Sequence, residues 1–546
     1  MRTFGILALV AVALMGMWTA SYGQPYEPEH IWHRCGEDSG DWFGKTIAGI
    51  GDVNGDGCED FLLSDKASGS STEGHLLLFY GGHPPDSTAD IVFSNPYPYD
   101  YYGREIENAG DVNGDHNDDF AAVGVYPQDN LSRVFIYFGG GQLDTIPDVV
   151  LSELTITAGY GANVEGVGDV NGDGYSDIAV FAANYGNGRG KVWIYFGGNP
   201  MDSIADWERE GLGDHNWFGQ DIAGKGDLNG DGYDDFAIYE WTGYPNLAQT
   251  NYYVFYGDSE LDTIPDLVID GEEYYPDIDI GNSSAIADLN GDPYSDLVLT
   301  AGRSSVSIVF LGGNPMNTEI DLVLEGFSQA PPTYVFNIEV ERAGDVNRDG
   351  YDDLLFSQTN TNLWSKVYVF LGSPLMWNEP YIEWYSASQG IGTSLTDCGD
   401  INGDGVDDIM FGSWDDIFNS QGCVDIWLGD TTFVASVPEE SSYLIPQNFR
   451  LLPPYPNPFN SSVTIPFEIV PGSLDGFALK IYNVLGQEVT DLTAQARRSV
   501  MDRSTGHLSV TWNAKDPAGR DLGSGIYLIE LQRGSHRQVQ KAIMLR

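Results

Sequence analysis

Short runs of β-branched and aromatic residues recur along the chain, each ending in Gly, Asp or Asn. The stretch from residue 161 to 207 is representative. Gly161 to Val167 runs into an Asp-rich loop and Asp177 to Phe181 leaves it; Lys191 to Phe196 is closed by Gly197-Gly198, and a weaker segment spans Ile204 to Trp207. Runs of this composition bounded by turn formers predict strands. The third segment returns as HLLLFYGG (75–82), RVFIYFGG (133–140), VSIVFLGG (306–313) and VDIWLGD (424–430). Nothing between them keeps a helical period over a helical length.

The loop between the first two segments is itself a repeat. GDVNGDG or a close variant recurs with its first Asp at Asp52, Asp111, Asp169, Asp227, Asp288, Asp345 and Asp400, in steps of 59, 58, 58, 61, 57 and 55 residues. A WD-type blade needs only about 40–45 residues; a period near 58 suits four strands with generous loops. Seven such units in a row predict an all-β, seven-bladed propeller, because closing the ring leaves only short, protected sheet edges.

The loop has the spacing Asp-x-Asn-x-Asp-Gly-x-x-Asp, with which a hard cation collects oxygen. Side chains come from positions 1, 3 and 5, a backbone carbonyl from position 7, and a final acid completes the shell. The candidate side-chain ligands are Asp52, Asn54, Asp56 and Asp60; Asp111, Asn113, Asp115 and Asp119; Asp169, Asn171, Asp173 and Asp177; Asp227, Asn229, Asp231 and Asp235; Asp288, Asn290, Asp292 and Asp296; Asp345, Asn347, Asp349 and Asp353; Asp400, Asn402, Asp404 and Asp408. The carbonyls belong to Cys58, Asn117, Tyr175, Tyr233, Tyr294, Tyr351 and Val406. Carboxylates held about 4 Å apart repel by roughly 1–4 kcal/mol per pair, so a divalent cation is the natural reason to gather them. All-oxygen ligands and a turn glycine predict Ca²⁺, up to seven ions, rather than zinc or copper. The turn glycine is replaced by His116 in the second loop, as turn filler, and by Pro293 in the fifth. Proline cannot take a positive φ, so the fifth site is expected to be distorted or empty. Dockerins and thrombospondin-type repeats carry similar loops, but at shorter spacing.

With Phe43-Gly44, Phe218-Gly219, Tyr102-Gly103 and Tyr160-Gly161 in place, the units resemble the FG-GAP repeats of integrin-α propellers. The resemblance makes the segment before each Asp loop the innermost strand. It also implies that the calcium sites rigidify the inner hairpins on the lower face. In that register EHIWHR (29–34) has no blade of its own, and the seventh blade, with strands near 391–397, 407–412 and 423–428, lacks an outer strand. The N-terminal segment is expected to fill the gap. An exported chain oxidises an even set of cysteines, and of three pairings the closed ring favours Cys35–Cys423 and Cys58–Cys398 across the seam.

Residues 431–448 read as a linker. The strings YPNPFNSSVTIPFEI (455–469), LKIYNVLGQEV (479–489), WNAKDPAGRDLGSGIYLIEL (512–531) and KAIML (541–545) resemble the C-terminal sorting domain of type IX secretion substrates. The resemblance implies an Ig-like β-sandwich over 449–546, handling by the secretion machinery, and then cleavage or surface attachment. Val463, Ile465, Phe467 and Ile469 alternate as one buried strand face.

Composition narrows the function. Of a net charge of −56, residues 1–440 carry −59 and the tail +3, a balance that argues against nucleic acid and anionic lipid. Arg2, the apolar run Ile6 to Trp18 and Ser21-Tyr22-Gly23 read as a secretory signal over 1–23, with the propeller spanning 24–430. No other stretch approaches the roughly 18 apolar residues of a membrane span. The eight His are scattered, at 30, 33, 75, 83, 116, 215, 507 and 536; His30 and His33 fall in the closing strand, where packing is their expected role. No nucleophile elbow, His-Glu-x-x-His or phosphate loop is present. The expectation is a secreted adhesion, binding or scaffold module for an extracellular protein or glycan. The alternative is a calcium-dependent enzyme acting on polysaccharide or lipid. Tyr97, Tyr99, Tyr101, Tyr102, Trp217, Tyr274, Tyr275, Trp384 and Tyr385 are the candidate ligand-facing aromatics, on the face opposite the Asp loops.

Overall fold

The computed structural model describes residues 28–545 apart from 37–41, 67–73, 83–84, 86, 95–101, 127–130, 142, 153–158, 183, 242–249, 272–279, 302–305, 325–336, 361–363, 375–379, 387–389, 414–421, 434–448 and the tail segments 452–453, 456–458, 461, 470–477, 484–487, 494, 496–506, 516–519, 521 and 534–535. The expected signal segment, most of the expected linker and five of the candidate aromatics (Tyr97, Tyr99, Tyr101, Tyr274, Tyr275) lie outside the described residues. Two compact units divide the chain, Met1–Ser436 and Val437–Arg546.

Among its described residues the first unit forms seven four-stranded antiparallel sheets. Six use strands in sequence order, the third being Tyr160–Gly168, Asp177–Ala182, Lys191–Tyr195 and Trp207–Glu210. The seventh joins Ile391–Asp397, Ile409–Ser413 and Cys423–Trp427 to His30–Cys35 from the start of the unit. There His33 lies opposite Asp425, and Cys35 opposite Cys423. The innermost strands are Ile47–Gly51, Ile106–Gly110, Tyr160–Gly168, Ile222–Gly226, Ile280–Ala287, Asn337–Gly344 and Ile391–Asp397. Each packs against the next, and the last packs against the first. The sheets thus close into a ring: a β-propeller.

Both faces of each sheet meet a neighbour, so the second strands are apolar without alternation; every residue of Asp177–Ala182 is buried. The core is accordingly a set of wedges between successive sheets rather than one central mass. The wedge that closes the ring combines Phe43, Phe61, Leu77 and Phe79 of the first sheet with Trp32, Met410, Val424 and Ile426 of the seventh. Trp32 meets Phe61 and Phe79 edge-on, both at 5.4 Å. Trp207, in the outer strand of the third sheet, meets Phe236 and Phe255 in the same way at 5.7 and 5.4 Å. Arg34 caps Phe43 and Phe79 as Arg209 caps Phe218 and Phe255. His30–Cys35 therefore does the work of an ordinary outer strand, although it comes from the other end of the unit.

Two expectations are corrected. The weak fourth segment of the third unit forms at Trp207–Glu210 and not over Ile204 to Trp207, because Asp202 spends its carboxylate on an Asx turn, accepting the Ile204 N–H at 2.7 Å. The second cysteine pairing is also wrong. Cys35 and Cys423 are bonded, but Cys58 and Cys398 are free thiols. The Cys398 thiol donates to the Asp408 carbonyl at 3.1 Å, whereas the Cys58 sulfur sits over Gly403, 2.8 Å from where a Cβ there would lie.

In the second unit, a three-stranded sheet (Phe449–Leu451, Val463–Ile469, His507–Trp512) and a four-stranded sheet (Glu488–Asp491, Ala478–Asn483, Gly525–Arg533, His536–Met544) share one core. Val463, Ile465 and Phe467 are fully buried in it, the alternation that makes a strand one wall of a two-sheet sandwich.

Candidate metal centres and the central channel

All seven Asp loops join an innermost strand to the second strand of its sheet, so they gather at one end of the ring. Each folds around its own carboxylates. In the first loop Asp52 Oδ1 accepts the N–H groups of Gly55 and Asp56 (2.8 and 3.0 Å), and Oδ2 accepts that of Gly57 (2.8 Å). The position-5 Asp accepts the position-7 N–H in every loop. Backbone donors thus hold these carboxylates in place within each loop.

The position-9 Asp has a second task that the ligand pattern does not reveal. Asp60 Oδ1 accepts the N–H of Gly81, in the turn after the third strand, at 2.8 Å. The same bond ties Asp119 to Gly139, Asp177 to Gly197, Asp235 to Gly257, Asp296 to Gly312, Asp353 to Gly372 and Asp408 to Gly429. The next residue along that turn reaches one sheet back: Gly82, Gly140, Gly198, Asp258, Gly313, Ser373 and Asp430 donate to the carbonyls of Ile401, Val53, Val112, Val170, Leu228, Leu289 and Val346. The bond from Gly82 to Ile401 closes the circuit. Position 8 adds to it where it is Asp, since Asp118, Asp234, Asp352 and Asp407 accept the N–H of Asp52, Asp169, Asp288 and Asp345.

The residues present fit a divalent cation. Asn229 Oδ1 and Asn402 Oδ1, both position-3 oxygens, are buried with no hydrogen-bond partner, a cost that a ligand would relieve. Burial, with added repulsion from the position-1 and position-5 carboxylates, pushes Asp60, Asp119, Asp177, Asp235, Asp296 and Asp408 up to about 8. A bound cation would favour their ionised form. His116 takes the turn at φ 74° with its ring 96% exposed. Pro293 has no N–H to donate to Asp288, a bond that the residue before position 7 makes in the other six loops.

A channel of about 900 Å³ runs among the innermost strands. Glu107, Glu165, Asp221, Lys225 and Glu341 face it. Lys225 Nζ crosses to Glu107 and to the Asn108 carbonyl, both at 3.0 Å. Burial raises Glu165 and Glu341 well above the usual carboxylate range. The signal for this lining was present as charged residues inside otherwise apolar first strands.

The aromatic candidates divide. Tyr102 and Trp384 are 3% and 4% exposed and pack between sheets, so they are corrected to core residues; Tyr385 is half-buried. Trp217 is 36% exposed and stacks on Trp241 at 5.0 Å. The side chains of His30 and His33, expected to pack, are 37% and 44% exposed; His30 packs on the Trp427 ring at 4.4 Å, and both imidazoles hydrogen-bond Asp425.

Residues 162–195 match the FG-GAP repeat, and residues 454–545 match the secretion system C-terminal sorting domain. The chain is 26% identical over 264 residues to integrin alpha-5 of Xenopus laevis, covering 46% of this chain and 24% of that protein. It is 41% identical over 159 residues to integrin alpha-6 of Gallus gallus, covering 28% and 12%. It therefore spans a quarter or less of these relatives' length. The solved Dos1 propeller aligns with a TM-score of 0.39 and 10% identity, covering 74% of this chain and 96% of that one. Among the described residues no helix is long and apolar enough to cross a membrane. The chain thus carries an FG-GAP repeat in a propeller that resembles integrin α-subunits, and its C-terminal sorting domain implies export by the type IX system to the cell surface or beyond.

Proposed function

We propose that the exported ring is a calcium-stabilised, non-catalytic binding module, used in adhesion at the cell surface. The observation that carries it is the pair of partnerless, buried Asn229 and Asn402 oxygens inside carboxylate loops. Calcium would be held by the side chains at positions 1, 3, 5 and 9 and by the carbonyl at position 7; the fifth loop would hold it least well. When bound, the ion supplies charge neutralisation. The chain's own residues then hold the loop end of the ring rigid through the circuit of inter-sheet bonds.

The opposite end would recognise the ligand. Trp217 precedes an innermost strand and Trp241 ends a second strand, so both sit away from the Asp loops. A stacked, part-exposed indole pair is a suitable floor for a sugar ring or an apolar side chain. The test is binding of the full chain to a panel of glycans and surface proteins, in calcium and in chelator. Saturable binding without turnover, lost in Trp217→Ala at unchanged melting temperature, is expected. Release of a product from any ligand would replace the module with an enzyme.

A further inference from the structure

The outer edge of the seventh sheet carries a cluster unlike that of the other sheets. In the third and sixth sheets the third and fourth strands are joined by lysine–glutamate pairs, Lys191–Glu208 at 2.8 Å and Lys366–Glu383 at 2.7 Å. In the seventh, two imidazoles meet one carboxylate. His30 Nε2 and His33 Nδ1 lie 2.8 and 2.7 Å from the same oxygen, Asp425 Oδ1. One candidate ligand atom from each residue lies within 4.8 Å of the other two.

Residues three apart on a regular strand point to opposite faces. Here the register slips between His30 and Trp32, and such a bulge re-aims side chains. Trp32 turns into the closing wedge while His30 joins His33 on the opposite face of the sheet, the side on which Trp427 meets Trp384 of the sixth sheet. His30 is held there by Trp427, whose ring lies 4.4 Å away. Asp425 is only 6% exposed, so the carboxylate is fixed and the two imidazoles are open to solvent above it. The second nitrogen of His33, Nε2, lies 3.3 Å from Cys35 Sγ of the disulfide.

We propose that His30, His33 and Asp425 form a binding site for a divalent d-block cation of the zinc class, clamping the N-terminal strand onto the seventh sheet. Two nitrogens and one carboxylate oxygen form a donor set that zinc accepts and calcium does not favour. Ligand edges in a tetrahedral zinc site are roughly 3.3 Å, so the two His–Asp contacts need open by only about half an ångström. A fourth position remains for water. The site differs from the Asp loops in donors, in position and in the element it fastens.

The test uses the full chain without a polyhistidine tag, stripped of metal and returned to saturating calcium, then titrated with Zn²⁺ by calorimetry and with Co²⁺ by visible absorption. Expected are one equivalent of Zn²⁺ that calcium does not displace, Co²⁺ bands of a four- or five-coordinate nitrogen-ligated ion, and affinity at least tenfold weaker in His33→Ala. His30→Gln, read for folding by circular dichroism, provides a second variant should His33→Ala fail to fold. Zinc binding unchanged in a folded variant, or no stoichiometric zinc in the wild type, would overturn the site and leave an ordinary histidine–aspartate contact. Neither result bears on calcium in the loops, whose ligands are all oxygen.

Discussion

At the scale of single residues, side chains conspicuous as ligands also serve as braces. Each position-9 Asp holds a glycine turn of its own sheet, and each position-7 tyrosine covers the loop before it. A Cβ on Gly172 would lie 2.3 Å from Tyr233 Cε1, at a φ of +73° that already favours glycine. Where the sixth loop places Arg348 at the corresponding position, with φ 58°, the following loop carries the smaller Val406. Asp221 illustrates the cost of charge near the channel. Burial pushes its carboxyl up to about 6, against hydrogen bonds from Ser284 and Tyr252 that favour ionisation. Because the folded value lies above the unfolded one, the ionised group weakens folding in full above about pH 6, and the penalty disappears as the pH falls towards 4. In saturating calcium, denaturation between pH 8 and pH 5 should show this site adding on the order of 1–2 kcal/mol on acidification. Asp221→Asn should flatten that part of the profile. Identical pH slopes for the two proteins would remove the account.

At the scale of elements, the seam is the point where an open array becomes a ring. The strand His30–Cys35 has no local neighbour in sequence; it is separated by 388 residues from the cysteine that fastens it. Closing so long a loop is worth about 6 kcal/mol in the chain-entropy model. Packing adds to it through Trp32. Trp32→Ala should destabilise the first unit by about 3–5 kcal/mol, with the loss persisting under reducing conditions. A loss below 1 kcal/mol in urea titrations would mean that the covalent bond alone holds the strand.

At the scale of the whole molecule, the division at Ser436 separates an acidic ring from a slightly basic sandwich with its own core. Thermal unfolding followed by calorimetry should therefore show two transitions. Chelation should lower only the transition of the ring, by several degrees, since ligand at about 100 times its dissociation constant contributes roughly 2.7 kcal/mol per site. A ring transition indifferent to excess chelator would refute calcium in the loops, and a single merged transition would refute the independence of the two units.

What the chain determines by itself is whatever is local and repeated. Seven loops spaced near 58 residues, a turn glycine after each third strand, and strings such as IYNVLGQEV declare an all-β repeat protein and its sorting tail without any contact map, because turn chemistry and strand propensity act over a few residues. Those signals do not say where Cys58 points. Its loop does approach the seventh sheet, with the Glu59 N–H bonded to the Asp400 carbonyl at 3.1 Å, but the thiols face different partners, and side-chain direction depends on packing from both sheets. The same holds for Trp384, whose burial is decided by Phe411 and Trp427 of the next sheet. It holds most clearly for His30, His33 and Asp425, which are drawn together by a register slip and a strand crossing from one end of the ring to the other. Local rules specify the repeat, and only closure brings its two ends together.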